Sequence, residues 1–401
     1  MFSLEKFYKI IYLNLLEPIN MGFVYFDKFG STSINDLSGY SNNFAKKPNI
    51  YVIFYDQEPI YLKDACKIWG SETNCLSNFN HMYQSGSPDY FNLALTIIAN
   101  SEISDEKNIL FKYDDTNVNW YYFFHGFAAL DWYNDVRYFP RVRNYSRVFM
   151  SFNHLYTKKR SYRLNLIAQL IEKNLTNHGY ISLPSQNLRE NVKAELFSKE
   201  SLLSTESKKI IFKNIYSNPP ELTIDTNNFN GELSAGADID TLSLGLFHIV
   251  TETIFYDQKI HLTEKIFKPI VARRPFFLVA APGNLAYLKS YGFKTFDRWI
   301  DESYDLEQDP DKRISLIVQE IERLCQLPPA ELDKIYEEMW EVLDYNFEWF
   351  YNEFKLKIVD ELVDNFHRCL CRHNAGVSKK SVYFIDYSKI DFKEVKQRLA
   401  Q

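Results

Sequence analysis

The residues best suited to chemistry lie between Val250 and Pro282, in the run VTETIFYDQKIHLTEKIFKPIVARRPFFLVAAP. Thr263 is a natural helix N-cap, Glu264 suits a first turn, and Ile266, Phe267 and Ile270 would face a core. A helix N-terminus with Lys265 in its first turn offers free N–H groups, a dipole and a cation to a diphosphate. A well-capped surface helix would show the same residues. Glu252, at the end of the preceding strand, adds a second carboxylate near the same face.

A second set is defined by its charge. Between Val136 and Ile171 the chain has no Asp or Glu, while Arg137, Arg141, Arg143, Arg147, Lys158, Lys159, Arg160 and Arg163 are basic and aromatic residues interleave. Such a stretch could track a nucleic-acid backbone over residues 136–171, neutralise a nucleotide diphosphate, or form a solvated basic face. A third set is Asp56-Gln57-Glu58-Pro59, which follows an apolar run. A carboxylate at the carboxyl end of a buried strand is where a general base would sit, and a solvated turn would look alike. His125, after the WYYFF run, is a rival base.

Other patterns point to less. Asp238-Ile239-Asp240 has the look of a metal–diphosphate site. His367, Cys369, Cys371 and His373 alternate in a segment read as helical, where neighbours two apart diverge. The acids from Asp297 to Asp311 read as a hydrated loop. No metal is expected.

These residues need elements to hold them. Ile50–Tyr55, Leu93–Ala99 and Trp120–Phe124 are buried-strand runs in the first third. Arg147–Phe152 reads as a strand, Arg160–Lys173 as a helix with Leu164, Ile167, Leu170 and Ile171 inward, and Tyr180–Leu183 as a short strand. Residues 184–230 are polar and show no pattern. Leu246–Val250 and Pro275–Ala280 are strands, with a helix opening at Thr263 and another over Asn284–Tyr291. Helices are expected over Asp311–Gln326, Ala330–Tyr345 and Glu348–Arg372, and a strand over Ser381–Ile385. Strands alternating with helices imply parallel βαβ units, so two facing α/β nucleotide-fold domains closed by helices are expected. Ligands of such sheets sit at the carboxyl ends of strands.

Composition bounds the function. The 401 residues carry 46 Lys+Arg and 52 Asp+Glu, a net charge of −6, which disfavours a protein devoted to coating nucleic acid or anionic membrane. Aromatic residues reach 16%, enough both to fill sheet cores and to stack on sugars or bases. Five cysteines without framework spacing fit a reducing compartment. The start, MFSLEKFYKIIYLNLLEPIN, is a poor signal peptide, and no apolar run is long enough for a membrane span. A cytoplasmic enzyme is expected.

Thr251-Glu252, Leu262-Thr263-Glu264-Lys265 and Arg274-Pro275 together resemble the signature of α1,3-fucosyltransferases, in which Glu-Asn-Ser precedes Tyr-Val-Thr-Glu-Lys. Upstream, Met150-Ser151-Phe152-Asn153 with Arg160 and Arg163 looks like that family's strand ending in Ser-Asn before an arginine-bearing helix. Phe79–Pro88 and Asp56–Pro59 echo two further segments. The chain is also similar to uncharacterised glycosyltransferase-like proteins of phages. It departs from the fucosyltransferase pattern at Glu252, where the family has Asn, and in the spacing from Thr253 to Thr263.

The resemblance implies a GT-B fold, with two Rossmann-like domains facing a cleft. Residues 1–145 would form the acceptor domain, 146–345 the donor domain, and 346–401 a helix and tail packing back on the first. It implies a glycosyltransferase acting on a nucleotide sugar (a GDP-sugar, as in that family, or a UDP-sugar) and a glycan or other hydroxyl acceptor, in a host cytoplasm if the source is viral. Glu264 would bind the ribose, and Lys265 with Arg160 or Arg163 the diphosphate. Thr263 and Glu252 would complete the donor site, and Glu58 would be the base. Two alternatives accompany this reading: transfer to a hydroxylated nucleic-acid base, and a non-catalytic module that grips glycan or nucleic acid.

Overall fold

The computed structural model describes residues 2–19, 21–25, 50–55, 95–100, 110–113, 116–122, 125–138, 141–184, 187–220, 236, 238–381 and 384–401. The chain divides into two compact units: Met1–Asp131 with Lys355–Gln401, and Trp132–Phe354.

The first unit opens with helix α1, Leu4–Ile11, which is capped by the Ser3 hydroxyl accepting from the Lys6 amide. Leu4, Phe7, Tyr8 and Ile11 recur at helical spacing and are buried. The sheet follows with β1 Met21–Tyr25, β2 Ile50–Tyr55, β3 Leu95–Asn100, β4 Leu110–Tyr113 and β5 Thr116–Tyr122. Its order is β1-β2-β3-β5-β4. All pairs are parallel except β4 with β5, where Tyr113 faces Thr116 across a two-residue connection. The uninterrupted apolar run of β2 suits its place between two parallel neighbours.

The second unit is built on β6 Arg147–Ser151, β7 Gly179–Ile181, β8 Gly245–Thr251 and β9 Phe276–Val279. These strands are all parallel, in the order β7-β6-β8-β9. β8 and β9 are buried at every residue, as strands covered on both faces must be. The strands approach closely at Gly179, where an added Cβ would lie 2.1 Å from the Phe149 ring.

Helix α2, Tyr162–Glu172, is embedded on nearly all sides. It packs against α4 and α7 of the series α3 Leu188–Phe197, α4 Thr205–Ile211, α5 Phe267–Val271, α6 Asn284–Ser290 and α7 Pro310–Cys325. The Asp311 carboxylate joins these three helices, accepting from Asn165 Nδ2 at 2.9 Å and from Ser207 Oγ at 2.6 Å. Among its described residues the patternless stretch after residue 184 holds α3 and α4, the second started by Ser204 as N-cap.

Helix α8, Pro329–Trp349, continues through a π-helical turn, Phe350–Phe354, into α9, Lys355–Ala375, so the break expected near residues 346–347 is absent. The described residues of the expected strand Ser381–Ile385 are not in a strand. Asn374 holds Ile385 instead, with Nδ2 donating to its carbonyl at 2.8 Å and Oδ1 accepting its amide at 3.1 Å. The chain ends in α10, Phe392–Ala400, which rests on α9 and α1 and is capped by Asp391.

The acids of residues 297–311 are more than a hydrated loop. Glu302 is bound by the Phe296 amide at 2.7 Å and the Thr295 hydroxyl at 2.7 Å. Asp309 caps α7, and Asp305 is buried at the start of α6.

His248 lies in the core of β8, its Nε2–H donating to the Leu242 carbonyl at 2.8 Å. Burial, aided by Arg274 and Lys268, pushes its pKa down to about 4 from 6.5. The unfolded chain takes up this proton below about pH 6.5 and the folded chain only near pH 4, so the contribution is intact at neutral pH and is lost as pH falls through that window. We expect urea denaturation to show an excess loss of about 2 kcal/mol on going from pH 7 to pH 5, relative to His248→Asn. Equal pH slopes for the two proteins would refute it.

Candidate functional site

The chain leaves β6 for β7 on one side and returns to β8 on the other. The carboxyl ends of β6 and β8 therefore form the switch point of the second sheet, where open α/β sheets place ligands. Polar side chains are buried there. Asn153 donates its amide to Ser182 Oγ at 2.9 Å and Nδ2 to Ser151 Oγ at 3.0 Å, and its Oδ1 accepts from Thr251 Oγ1 at 3.2 Å. The expected Ser-Asn strand end thus bridges β6, β8 and the residue following β7.

Arg163, in the first turn of α2, is only 3% exposed. Its guanidinium donates to the carbonyls of Leu155 at 2.7 Å, Thr251 at 2.8 Å and Glu252 at 3.3 Å, while the Tyr162 hydroxyl also donates to the Glu252 carbonyl. These bonds make Arg163 a strut that fixes the end of β8. Arg160 is half-buried, in the 3₁₀ turn Lys158–Arg160 that leads into α2.

Glu252, Thr263, Glu264 and Lys265 come together. Glu252 is fully buried, and its two oxygens accept the Thr263 amide at 3.2 Å and the Thr263 hydroxyl at 2.7 Å. Thr263 Oγ1 accepts in turn from the Lys265 amide at 3.3 Å and from Lys265 Nζ at 3.0 Å. Nζ also pairs with Glu264 Oε1 at 3.1 Å, leaving the Lys265 side chain about one third exposed. Burial raises the Glu252 carboxyl above its ordinary range, although Lys265 and Thr263 oppose the shift. At Glu264, burial works against ionisation, but Lys265 and Lys268 outweigh it and hold the carboxyl below its ordinary range. Burial also pushes Lys268 down to about 8.

The helix behind Lys265 is short, as the sequence predicts. Glu264–Ile266 is a 3₁₀ turn and α5 adds five residues, so any diphosphate held here would depend on the Lys265 charge more than on a helix dipole. Phe267 anchors α5, its ring centroid 5.6 Å from that of Phe293 and 5.1 Å from those of Phe350 and Phe354. Tyr133 adds a bond from its hydroxyl to the Glu264 carbonyl at 3.4 Å.

The segment from Thr253 to Leu262 is held by residues that the sequence alone did not single out. The Arg313 guanidinium lies 4.2 Å from the Phe255 ring centroid and donates to the Phe255 carbonyl at 2.7 Å. Phe255 stacks in turn on Tyr162 at 4.2 Å. Asn284, fully buried, accepts the His261 amide at 3.2 Å and donates to the Ala281 carbonyl at 2.7 Å. Gly283 adopts φ +84°, a left-handed conformation, at the turn out of β9. The Asp305 carboxylate accepts the Leu285 and Ala286 amides, so the N-terminus of α6 already holds an anion of its own. Asn284 had a signal, following Pro-Gly after a strand. Arg313 had none, because its partners are backbone carbonyls, of Glu307 nearby and of Phe255 far away in sequence, and carbonyls carry no side-chain signature.

Asp56 and Glu58 lie outside the described residues. His125 begins the 3₁₀ turn His125–Ala128, and its side chain also lies outside them. The basic stretch is largely engaged within its own unit. Arg141 pairs with Asp344 at 2.8 Å, and Arg143 pairs with Glu337 at 2.8 Å and lies 4.2 Å from the Trp340 ring centroid. Arg141 and Arg143 thus meet the acidic face of α8, while Arg163 serves the end of β8. Asp238 of the Asp-x-Asp match caps a one-turn helix, accepting from the Asp240 amide and Thr241 Oγ1. Among the described residues, no three His, Cys, Asp or Glu side chains cluster as metal ligands, and no helix is long and apolar enough to cross a membrane.

No family model and no curated protein matches the sequence. Among solved structures, a trehalose-6-phosphate synthase, OtsA, is similar at 10% identity and TM-score 0.39, over 78% of this chain and 66% of that one. An OtsA apo structure is similar at 11% identity and TM-score 0.42, over 89% and 76%. An alpha,alpha-trehalose 6-phosphate synthase from Burkholderia multivorans is similar at 12% identity and TM-score 0.37, over 95% and 79%. The chain spans just under two thirds of the length of the first of these. A likeness this distant bears on neither activity nor residue roles.

Proposed function

We propose that the chain is a glycosyltransferase of GT-B type that binds a nucleotide-sugar donor at the carboxyl end of its second sheet. The observation that supports this reading is the ordered lysine at the switch point, held through Thr263 by a buried carboxylate. A buried Glu252 devoted to one threonine is costly to maintain as mere surface capping. In this reading Lys265 and Arg160 neutralise the diphosphate, Glu264 accepts from ribose hydroxyls, and Arg163 shapes the wall. The donor is a GDP-sugar or a UDP-sugar, and the acceptor is a hydroxyl of a glycan.

The chemistry follows from charge. An acceptor hydroxyl is a poor nucleophile near neutral pH, so a carboxylate takes its proton as it attacks the anomeric carbon, and the single displacement inverts that centre. The departing nucleoside diphosphate gathers negative charge, which fixed cations stabilise. Glu58, in the segment after β2, is our candidate base, with Asp56 and His125 as rivals. Comparing Glu58→Gln, Asp56→Asn and His125→Asn should show one variant whose kcat collapses while donor affinity holds; Glu58→Gln at wild-type kcat would remove Glu58 from the role.

The direct test is calorimetry with GDP, UDP and other nucleoside diphosphates, followed by nucleotide-sugar hydrolysis. Binding of one diphosphate together with release of sugar supports a transferase, and binding of none overturns it. Because the proposed leaving-group charge is met by side-chain cations, hydrolysis should survive exhaustive chelation. Abolition by EDTA with rescue by Mg²⁺ or Mn²⁺ would move the charge stabilisation to a metal.

A further inference from the structure

We infer that Glu252 is a positioning residue that sets the orientation of Lys265 through the Thr263 hydroxyl, an inference that rests on the donor reading above for its functional meaning. Glu252 is fully buried, so it is not placed to touch a ligand. Both of its oxygens are spent on Thr263, at 3.2 Å to the amide and 2.7 Å to the hydroxyl. The hydroxyl has one proton. Because that proton goes to the carboxylate, the Thr263 oxygen turns its lone pairs toward Lys265, accepting from the amide and from Nζ at 3.0 Å. A hydroxyl that donates to a carboxylate is also a stronger acceptor, since consecutive hydrogen bonds polarise one another. The carbonyl of Glu252 is fixed independently by Arg163 and Tyr162, so the carboxylate is presented from a rigid base.

Glu252→Gln tests the direction of this relay with little change in volume. An amide in that place can accept the Thr263 N–H with its oxygen, but its NH₂ then points at Oγ1 and competes with Lys265 for the lone pairs. Thr263→Val removes the hydroxyl and keeps the shape, whereas Thr263→Ser keeps the hydroxyl.

The first readout needs no ligand: the rate of acetylation of Lys265 by acetic anhydride, followed by mass spectrometry, with the exposed Lys209 as internal reference. The rate should rise severalfold in Glu252→Gln and Thr263→Val, stay near wild type in Thr263→Ser, and rise no further in the double variant Glu252→Gln/Thr263→Val than in Thr263→Val. The second readout is calorimetric binding of GDP and UDP, where the tighter of the two should weaken roughly tenfold in the same variants, each still folded with a cooperative melting transition. Unchanged labelling in both single variants, or additive effects in the double variant, would overturn the relay. Wild-type protein that binds neither diphosphate would remove the donor reading and leave the labelling result to decide the relay alone.

Discussion

Arg274→Met is expected to lower the melting temperature of the Trp132–Phe354 unit by roughly 10 °C, corresponding to about 3–5 kcal/mol. Arg274 is fully buried at the start of β9. Its Nη2 donates to the carbonyls of Asn144 at 2.7 Å, Ser243 at 2.9 Å and Val142 at 3.1 Å, and its Nη1 donates to the Tyr336 hydroxyl at 2.8 Å. One side chain therefore satisfies the backbone that enters β6, the turn before β8 and the face of α8. Two effects oppose each other in the variant. Methionine relieves the cost of burying a cation whose hydrogen bonds all go to neutral oxygens, and replacing buried charge by apolar volume can stabilise. Against that, two buried acceptors, the Ser243 carbonyl and the Tyr336 hydroxyl, lose their donor at about 1–3 kcal/mol each, and two part-buried carbonyls lose theirs as well. We expect the second effect to win, because the carbonyls belong to separate segments that cannot satisfy one another. Arg274→Lys should fall between the two, since an ammonium has three donors and no planar fork. A melting temperature for Arg274→Met at or above wild type would show that desolvation dominates.

This residue also marks the limit of what the sequence could disclose. Arg274 was visible as half of an Arg-Pro pair before a strand, and β9 appeared where the apolar run predicted it. Its partners lie about 130 and 30 residues upstream and 60 downstream, and backbone carbonyls carry no side-chain signature. The periodic elements were the legible ones: β2, β8, α2 and α7 follow from apolar runs or helical spacing. β1 carries little signal, because its five residues adjoin a polar stretch. α3 and α4 are illegible in the sequence because their helical face is short and polar residues dominate it. At the site, Thr263 as N-cap and Lys265 beside it were legible from local rules. The tie from Glu252 to Thr263 was not, since only the fold brings the strand end over the cap. Arg163 shows the opposite case: its place in a basic stretch suggested ligand contact, but burial gives it backbone carbonyls to hold.

Lys265→Ala should weaken nucleoside diphosphate binding by roughly 10–100-fold and lower the rate of nucleotide-sugar cleavage by about 10²–10³, with the melting temperature unchanged. The rate should suffer more than the affinity because charge on the leaving diphosphate grows as the glycosidic bond breaks, so a fixed ammonium contributes most in the transition state. The side chain is about one third exposed and its bonds among the described residues go to Thr263 and Glu264, so its removal should leave the fold intact. The variant also changes the sign of the site. Glu264 lies 3.1 Å from Lys265 Nζ, and without that cation its carboxylate keeps only the more weakly acting Lys268 against it. Part of the lost affinity should then be repulsion, which Glu264→Gln in the Lys265→Ala background would relieve, bringing binding partway back. If the double variant binds no better than Lys265→Ala, the loss is that of a direct contact alone. If folded Lys265→Ala binds the diphosphate as wild type does, the lysine is a cap residue and the donor site lies elsewhere.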